Sequence, residues 1–510
     1  METLRTLPGD DIRSMMWRYS DRFDLQMLVQ SVRAVARGPV AHAVANGARN
    51  SHEWTAEKDN LLRVFDESGI TTLFMEPEYG GYIAGPKNLA LAIAAFELSW
   101  VDGGAATASL AGNLALEPIH ERGTAEQKAF YMSGAAPQAD ATRKILRGAF
   151  GLTEPLPYVG VETGMLSGTL RIAEWREGQE PLLQVNKRGR FITNMDFANF
   201  ICAAVESDDD RIKGTCMIIV HEDDPGSFDR GAPTRKLVHQ LSSTRDPIIN
   251  QRVPAHRIIG GYNIQDGVIV PNFSHSEIID AVFKRTRVTV GLMSAAKLLS
   301  AIEPLIRYQR GRFRGGELEP GSPRYELGIQ QKDDALHRTA AIWAMGEAAA
   351  SFGFAGARIF DELAPLEAEK MSLYAAQDIR GRAEFKALKA READAIEYIH
   401  LQAAGEPTAR WKELNNDVIV KYIAVDALAN VLCPAVKLWN TGQGASVMRE
   451  AVSLMGGYGI TEDCPGFLGQ KWMDMQLEAT YEGPEAVQRR QLSVTLLSPV
   501  FKAHLQTWID

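Results

Sequence analysis

LLQVNKRGRFITN (Leu182–Asn194), FICAAV (Phe200–Val205) and GTCMIIVHEDD (Gly214–Asp224) are the stretches from which the fold class of this chain follows. Each contains a short run of β-branched, aromatic and other apolar residues, and Gly, Asp or Asn residues separate the runs. Runs of this kind, bounded by turn residues, are typical of antiparallel β-strands. We therefore expect a middle antiparallel β-domain, placed at residues 146–270.

The segments on both sides of this β-rich region have helical patterns. LALAIAAFELSW (Leu89–Trp100) is rich in Ala and Leu, and Thr124 with Gln127 has the spacing of a capping box at a helix start. From about residue 275 onward, apolar residues recur at three- and four-residue spacing over long stretches. The order predicts an α+β fold, with an N-terminal helical domain at 1–145 and a C-terminal helical bundle at 271–510.

Composition excludes several classes of protein. The 510 residues are 45% hydrophobic, which is ordinary for a globular chain of a few domains. Lys and Arg number 55 against 64 Asp and Glu, and the resulting net charge of −9 argues against a nucleic-acid partner. No apolar run approaches the roughly 20 residues that cross a bilayer, so we expect no membrane partner either.

The numbers and spacing of the cysteines and histidines allow predictions about the cellular compartment and about metal binding. The four cysteines form no CxxC pair, and the N-terminus lacks the apolar core of a secretory signal. We therefore expect a reducing, cytoplasmic location. The ten histidines show no metal-ligand spacing, so no metal site is predicted.

Several short motifs are candidates for chemistry, although each alone has a plainer explanation. A carboxylate before a helix start, such as Glu482 before Pro484, is usually a capping group, and basic clusters are usually solvated. Glu154 and Glu485 are likewise expected to be solvent-facing or capping carboxylates. The motifs are GAFGLTEP (Gly148–Pro155), GRFITN (Gly189–Asn194), FKRTR (Phe283–Arg287), QRGRFRGG (Gln309–Gly316), MGGYGITEDCPG (Met455–Gly466) and TYEGPEAVQRRQLS (Thr480–Ser493).

Taken together and in this order, the motifs resemble the acyl-CoA dehydrogenase flavoprotein family, from about Glu67 to Leu497. SSTRDPIINQRVPAHRIIGG (Ser242–Gly261) resembles the strands that close the β-domain of that family. The resemblance implies FAD between the β-domain and a C-terminal helical bundle. It also implies that a second subunit completes the FAD site, and hence a homotetramer or homodimer.

The resemblance assigns roles to particular residues. Glu482 would be the catalytic base, which removes the α-proton of an acyl-CoA thioester while the β-hydrogen leaves as hydride to the flavin. Arg287 and Gly483 would lie at the substrate. Electrons would then pass to an electron-transfer flavoprotein. The implied FAD contacts are Leu152, Thr153, Phe191 and Thr193 at the isoalloxazine ring, and Arg310, Phe313, Gly456 and Gly457 at a neighbouring subunit's adenosine diphosphate part.

The sequence departs from the family pattern at several positions. Pro484 and Ala486 replace a Thr and a flavin-contacting Gln, Met473 replaces an Arg, and Leu156–Gly160 replaces a phosphate-contacting loop. A charged insertion near 364–415 lengthens the last domain. These departures favour a non-standard acyl group that is cyclic, aromatic-derived or branched.

The sequence is also compatible with two other functions. One is an oxygen-using flavin oxidase or monooxygenase, or a non-oxidative lyase, on the same fold. The other is a flavin-free binding or scaffold protein, which the changes at Pro484 and Ala486 motivate. Some relatives carry the base on the long helix, but the equivalent position here is Thr286, whose hydroxyl is no base, so Glu482 is favoured.

Overall fold

The computed structural model describes residues 22–137, 144–158, 165–312, 319–405 and 407–509. Within these ranges helices come first, strands follow, and a second set of helices completes the chain. The predicted α+β order of helices, strands and helices is confirmed.

The N-terminal helices pack around one central helix. Every residue from Asn88 to Ser99 of that helix is buried, which explains why the segment is apolar on all sides. The capping box predicted at Thr124 and Gln127 is present at the start of the last helix in this group. The described α-helices are α1 (Phe23–Val35), α2 (Ala41–Ala45), α3 (Ala56–Glu67), α4 (Lys87–Ser99), α5 (Gly103–Arg122) and α6 (Ala125–Ala135).

The middle of the chain forms a sheet of seven strands and two small two-stranded sheets. Alternate residues of β3 and β9 face a core of their own, which includes Leu183, Val185, Ile249 and Val253. The described strands are β1 (Gly148–Gly151), β2 (Thr169–Glu174), β3 (Leu182–Arg188), β4 (Ile192–Thr193), β5 (Phe200–Ser207), β6 (Thr215–His221), β7 (Gly226–Asp229), β8 (Thr244–Arg245), β9 (Ile248–Pro254), β10 (Tyr262–Gln265) and β11 (Val268–Pro271).

The large sheet is not purely antiparallel. The strand order is β1–β5–β2–β3–β9–β7, with β6 paired to the other side of β5. β5 runs parallel to β1 and to β2, whereas the remaining pairs of this sheet are antiparallel. The expectation of antiparallel pairing is therefore wrong for the β1–β5 and β2–β5 pairs, because a strand's residue pattern reports burial and not the direction of its neighbour.

The C-terminal helices form a bundle around three long helices that pack against one another. These are α7 (His275–Ser300), α10 (Asp333–Ala376) and α14 (Val418–Leu454). Their contact face includes Leu292, Ala349, Phe354 and Val436, all buried. The described helices are α7 (His275–Ser300), α8 (Ile302–Gly311), α9 (Pro323–Leu327), α10 (Asp333–Ala376), α11 (Arg382–Ala390), α12 (Glu392–Ala404), α13 (Ala409–Asn415), α14 (Val418–Leu454), α15 (Leu468–Glu478), α16 (Glu485–Thr495) and α17 (Pro499–Ile509).

The charged stretch assigned to an insertion covers the end of α10 and the helices α11 to α13. No residue of α11 is buried, whereas α12 buries Ala395 and Ile399 and packs against α14 and α17. Within this stretch α11 lies on the surface without a buried residue, whereas α12 belongs to the bundle.

Two helical stretches are long and apolar enough to cross a membrane, at 275–311 and 418–454. The apolar window of the first is 83% buried inside the bundle, and that of the second is 44% buried. Core helices of a bundle have this same composition, so the two stretches by themselves do not indicate a membrane.

A carboxylate from the bundle caps the central helix of the N-terminal group. Asp361 on α10 accepts hydrogen bonds from the backbone N–H groups of Asn88 (2.8 Å) and Leu89 (2.9 Å) in the first turn of α4. The same carboxylate accepts from Asn88 Nδ2 at 3.0 Å. Because these N–H groups have no partner within the helix, Asp361 both caps α4 and fixes it to α10.

We predict that Asp361→Ala destabilises the start of α4. Loss of a cap costs about 1 kcal/mol, and the Asn88 side chain would lose its partner as well. Hydrogen exchange should show faster amide exchange in the first turn of α4, with a lower melting temperature. Glu369→Ala, at an exposed position of the same helix α10, is the matched control. Equal protection of α4 in both variants would contradict the capping role.

Candidate active site

A cavity of about 640 Å³ lies where the three parts of the chain meet. Its walls come from α4 and α5, from the strand ends of the β-domain, from α7 and α10, and from the loop before α16. Six of the residues singled out in the sequence lie on this wall: Leu152, Thr153, Phe191, Thr193, Glu482 and Gly483. Segments more than 300 residues apart in the sequence thus contribute to one cavity.

The loop that carries Glu482 has an unusual backbone. Glu482 has a φ of +55° and Gly483 a φ of +94°, both in the left-handed region. This region is strained for a residue with a side chain and persists only where neighbouring groups hold it. Glycine suits position 483 because it adopts this φ without strain, and a Cβ atom there would also lie 2.9 Å from Gln488 Nε2.

Three side chains hold the loop through its carbonyl groups. Arg287 Nε on α7 donates to the carbonyl of Glu482 (3.1 Å), and Lys437 Nζ on α14 donates to the carbonyl of Gly483 (2.7 Å). Gln488 Nε2 on α16 also donates to the carbonyl of Gly483, at 3.0 Å. The loop is therefore fixed from three helices of the bundle, with two of the three donors charged.

The carboxylate of Glu482 receives one hydrogen bond of its own. Thr286 Oγ1 donates to Glu482 Oε2 at 2.8 Å. Burial raises the pKa of Glu482 above its ordinary value of 4.5, and the Thr286 hydroxyl, Lys437 and Arg287 reduce that rise without cancelling it. Glu482 is thus a stronger base than an exposed glutamate, and it lines the cavity.

Lys437 supplies a buried charge beneath the loop. Only 1% of its surface is exposed, and burial lowers its pKa to about 8, while the negative charge of Glu482 opposes that shift. A buried ammonium is costly unless it is paired or hydrogen-bonded. The carbonyl of Gly483 and the nearby carboxylate of Glu482 together provide this compensation.

Two strand ends of the β-domain form another part of the cavity wall. Leu152 and Thr153 follow β1, while Phe191 and Thr193 belong to the turn at β4. The backbone N–H of Arg190 donates to the carbonyl of Thr153 at 2.8 Å and ties the two ends together. The wall presents backbone groups, two threonine side chains and the apolar side chain of Leu152, which is a surface on which a planar ring system can lie.

A buried ion pair fixes this wall from behind. Glu154 is completely buried, and it accepts from Lys187 Nζ (2.7 Å) and from the backbone N–H groups of Ser167 and Gly168 (2.7 Å each). Lys187 Nζ also donates to the carbonyl of Leu152 at 3.3 Å. The expectation that Glu154 faces solvent is therefore wrong, because β3 brings a lysine that the local sequence around Glu154 does not reveal.

Three of the other predicted FAD contacts, Arg310, Gly456 and Gly457, are not part of the cavity wall. Arg310, at the end of α8, is exposed and donates through Nε to Gln330 Oε1 at 3.2 Å. Gly456 and Gly457 are exposed at the turn after α14, with open space at each Cα. Phe313 lies outside the described residues. Contacts of these residues with the FAD of a second subunit stay a prediction.

Arg287 is buried and has partners within the protein. It is 6% exposed, and besides the carbonyl of Glu482 it donates through Nη1 to Gln491 Oε1 at 2.6 Å. Its observed partners lie in the loop and in α16. The CoA contact stays a prediction, and the structure adds a role in holding the loop.

Sequence reasoning missed Lys437, Gln488 and Lys187. A lysine within the apolar run VLCPAVKLWN (Val431–Asn440) is a signal that could have identified Lys437, because such a charge needs a buried partner. Gln488 and Lys187 have no comparable signal, since each lies in a segment of mixed polarity.

Two family models match the two ends of the chain. The N-terminal domain of acyl-CoA dehydrogenase matches residues 23–138, and the C-terminal domain matches residues 410–497. The short-chain-specific acyl-CoA dehydrogenase of Megasphaera elsdenii is 29% identical over 205 residues, which are 40% of this chain and 49% of that protein. The match therefore spans about half the length of this curated relative.

Solved structures share the fold over nearly the whole chain. Butyryl-CoA dehydrogenase from Megasphaera elsdenii has a TM-score of 0.62 at 18% identity and covers 98% of this chain and 100% of its own. A glutaryl-CoA dehydrogenase from Mycobacterium smegmatis, in complex with FADH2, has a TM-score of 0.64 at 17% identity and covers 96% and 98%. At these identities the likeness establishes the arrangement of the helices and strands.

We predict that Lys187→Met strongly destabilises the protein, because it leaves the Glu154 carboxylate buried without its cation. Loss of one partner of a buried ion pair costs about 3–5 kcal/mol. Urea denaturation should show this loss in the free energy of unfolding. The double variant Glu154→Gln/Lys187→Met should regain part of it, since the uncompensated charge is gone. A single variant as stable as the natural protein would contradict the pairing.

Proposed function

This chain belongs to the acyl-CoA dehydrogenase family, and from that premise we propose that it catalyses the FAD-dependent α,β-dehydrogenation of an acyl-CoA thioester. The observation that carries the proposal is the position of Glu482. Its carboxylate lines the cavity, is more basic than usual, and faces a cavity that is also lined by the strand ends at Thr153 and Thr193.

The residues of the cavity fit a flavin. The wall formed by Leu152, Thr153, Phe191 and Thr193 offers apolar contact together with backbone and hydroxyl groups that can hydrogen-bond to ring heteroatoms. These four residues would hold the isoalloxazine ring. When bound, FAD supplies the acceptor for the hydride that leaves the β-carbon of the substrate.

Glu482 removes the proton from the α-carbon of the thioester. The thioester carbonyl acidifies that carbon, and a base whose pKa is raised toward the working pH is better matched to the task. The hydrogen bond from Thr286 fixes one carboxylate oxygen. The other oxygen, Oε1, has no hydrogen-bond partner among the described residues and can accept the proton. Arg287, Lys437 and Gln488 keep the loop in place during the reaction.

The acyl group and the electron acceptor belong to the proposal as well. The altered segment after Glu154, the substitutions at Pro484 and Ala486 and the helices around 364–415 support a non-standard acyl group that is cyclic, aromatic-derived or branched. Electrons would pass to an electron-transfer flavoprotein, in an assembly of two or four identical chains. An oxidase would instead release hydrogen peroxide in proportion to the substrate used.

We predict that Glu482→Gln lowers kcat by about 100-fold or more, because the amide keeps the shape of the side chain but cannot accept the α-proton. FAD content should be unchanged. The assay is steady-state turnover of an acyl-CoA with an artificial electron acceptor. Glu485→Gln, three residues along on α16, removes a carboxylate outside the cavity and serves as the control. Turnover of Glu482→Gln equal to that of the control would exclude Glu482 as the base.

The Thr286 hydrogen bond should influence how kcat/KM depends on pH. Thr286 Oγ1 stabilises the charged form of Glu482, so its removal in Thr286→Val raises the pKa of the carboxyl group. Since the base must be deprotonated, the acidic limb of the kcat/KM profile should move to higher pH. Thr286→Ser keeps the hydroxyl and should restore the natural profile. A limb that stays in place in Thr286→Val would show that the bond does not tune the base.

A further inference from the structure

The cavity that contains Glu482 has a second polar region on the segment before β8. Lys236, Gln240, Ser242 and Thr244 all line the wall. Thr244 lies directly opposite Thr193 in the β4–β8 pair, so this segment continues from the strand ends that would hold the flavin. The polar region therefore adjoins the flavin wall within the same cavity.

Among the described residues, Lys236 has no partner that neutralises its charge. Its side chain is partly buried, and within the described ranges its ammonium group makes no ion pair or side-chain hydrogen bond. Burial lowers the pKa of Lys236, while the more distant charges of Asp474 and Asp102 oppose that shift. A cation without a partner on an apolar cavity wall is unfavourable unless a ligand compensates it.

Gln240 adds an unsatisfied donor to the same wall. Only 4% of its surface is exposed, and among the described residues its Nε2 group has no hydrogen-bond partner. The other atom of the amide, Oε1, accepts a long hydrogen bond of 3.5 Å from the Ser242 hydroxyl. A buried donor left without an acceptor costs about 1–3 kcal/mol, which a bound oxygen atom would recover.

Of three buried carboxylates near this wall, two form ion pairs with other residues and the third has a raised pKa. Asp102 pairs with Arg49 (3.3 Å) and accepts from the N–H groups at the start of α5 and at Leu241. Glu478 pairs with Lys297. Asp474 has no hydrogen bond within the part of the chain that the structure describes, and its burial raises the pKa of the carboxyl group to about 7. Since no described carboxylate forms an ion pair with Lys236, a ligand in the cavity can supply the acceptor for Lys236 and Gln240.

We propose that Lys236 and Gln240 bind a carboxylate at the far end of the acyl chain, so that the substrate is an ω-carboxyacyl-CoA thioester. This inference rests on the function proposed above, because it identifies the acyl group for that reaction. A carboxylate accepts from both an ammonium and an amide N–H, and it supplies the negative charge that Lys236 lacks. Neither partner takes part in proton removal.

The test compares thioesters that differ only at the far end. The full-length, FAD-loaded protein is mixed anaerobically with adipoyl-CoA or with hexanoyl-CoA, and with the corresponding pairs of four to eight carbons, while flavin absorbance is followed. The natural protein should be reduced more efficiently by the ω-carboxy member of at least one pair, by about 10-fold or more. Charge-assisted hydrogen bonds have this magnitude.

The variant Lys236→Met keeps the length of the side chain and removes its charge. Its efficiency with the preferred ω-carboxy ester should fall by about 10- to 100-fold, while its efficiency with the uncharged ester of the same length and its FAD content stay within threefold. Lys213→Met removes an exposed lysine of the β-domain and should change neither ester.

Three results would overturn the inference, and they are distinguishable. Reduction by uncharged esters that equals or exceeds reduction by every ω-carboxy ester leaves the dehydrogenase function standing and the anion site wrong. Loss of FAD from Lys236→Met assigns the lysine to the cofactor. If no thioester of any kind reduces the flavin, the proposed function itself fails, and the inference fails with it.

Discussion

The left-handed backbone at Glu482 is the constraint on which the arrangement of this molecule depends. A glutamate in that conformation is strained, and it is held by donors from α7, α14 and α16 to the carbonyl groups of residues 482 and 483. Each donor lies on a different helix, so the base keeps its position only when the whole bundle is packed. The large apolar contact among α7, α10 and α14 therefore also helps to keep the Glu482 carboxylate in position.

Buried lysines recur around the cavity, and two of them bind the backbone of its wall. Lys437 donates to the carbonyl of Gly483, and Lys187 donates to the carbonyl of Leu152 while it pairs with Glu154. The loop of Glu482 and the strand end at Leu152 are thus held in the same way. Such interactions are directional and costly to break, which suits a site whose parts must keep fixed positions.

The sequence allowed much of the fold and part of the site to be predicted. Periodic apolar patterns and capping residues are local signals, and they predicted the helical and β-rich regions and the start of α6 correctly. The parallel pairing of β1 and β2 with β5 has no local signal. The contact of Glu154 with Lys187, which lies 33 residues further along the chain, has no local signal either. The same holds for the contact of Thr286 with Glu482, which lies 196 residues further along. Such contacts follow from the packing of distant segments and are found only in the folded chain.

We propose that this cavity brings a bound acyl-CoA, a flavin and the Glu482 carboxylate together. The visible spectrum of the purified, FAD-loaded protein, recorded before and after anaerobic addition of a broad set of acyl-CoA thioesters, tests it most directly. The flavin absorption bands should bleach with at least one thioester. A protein that binds no FAD, or whose flavin stays oxidised with every thioester, would contradict it.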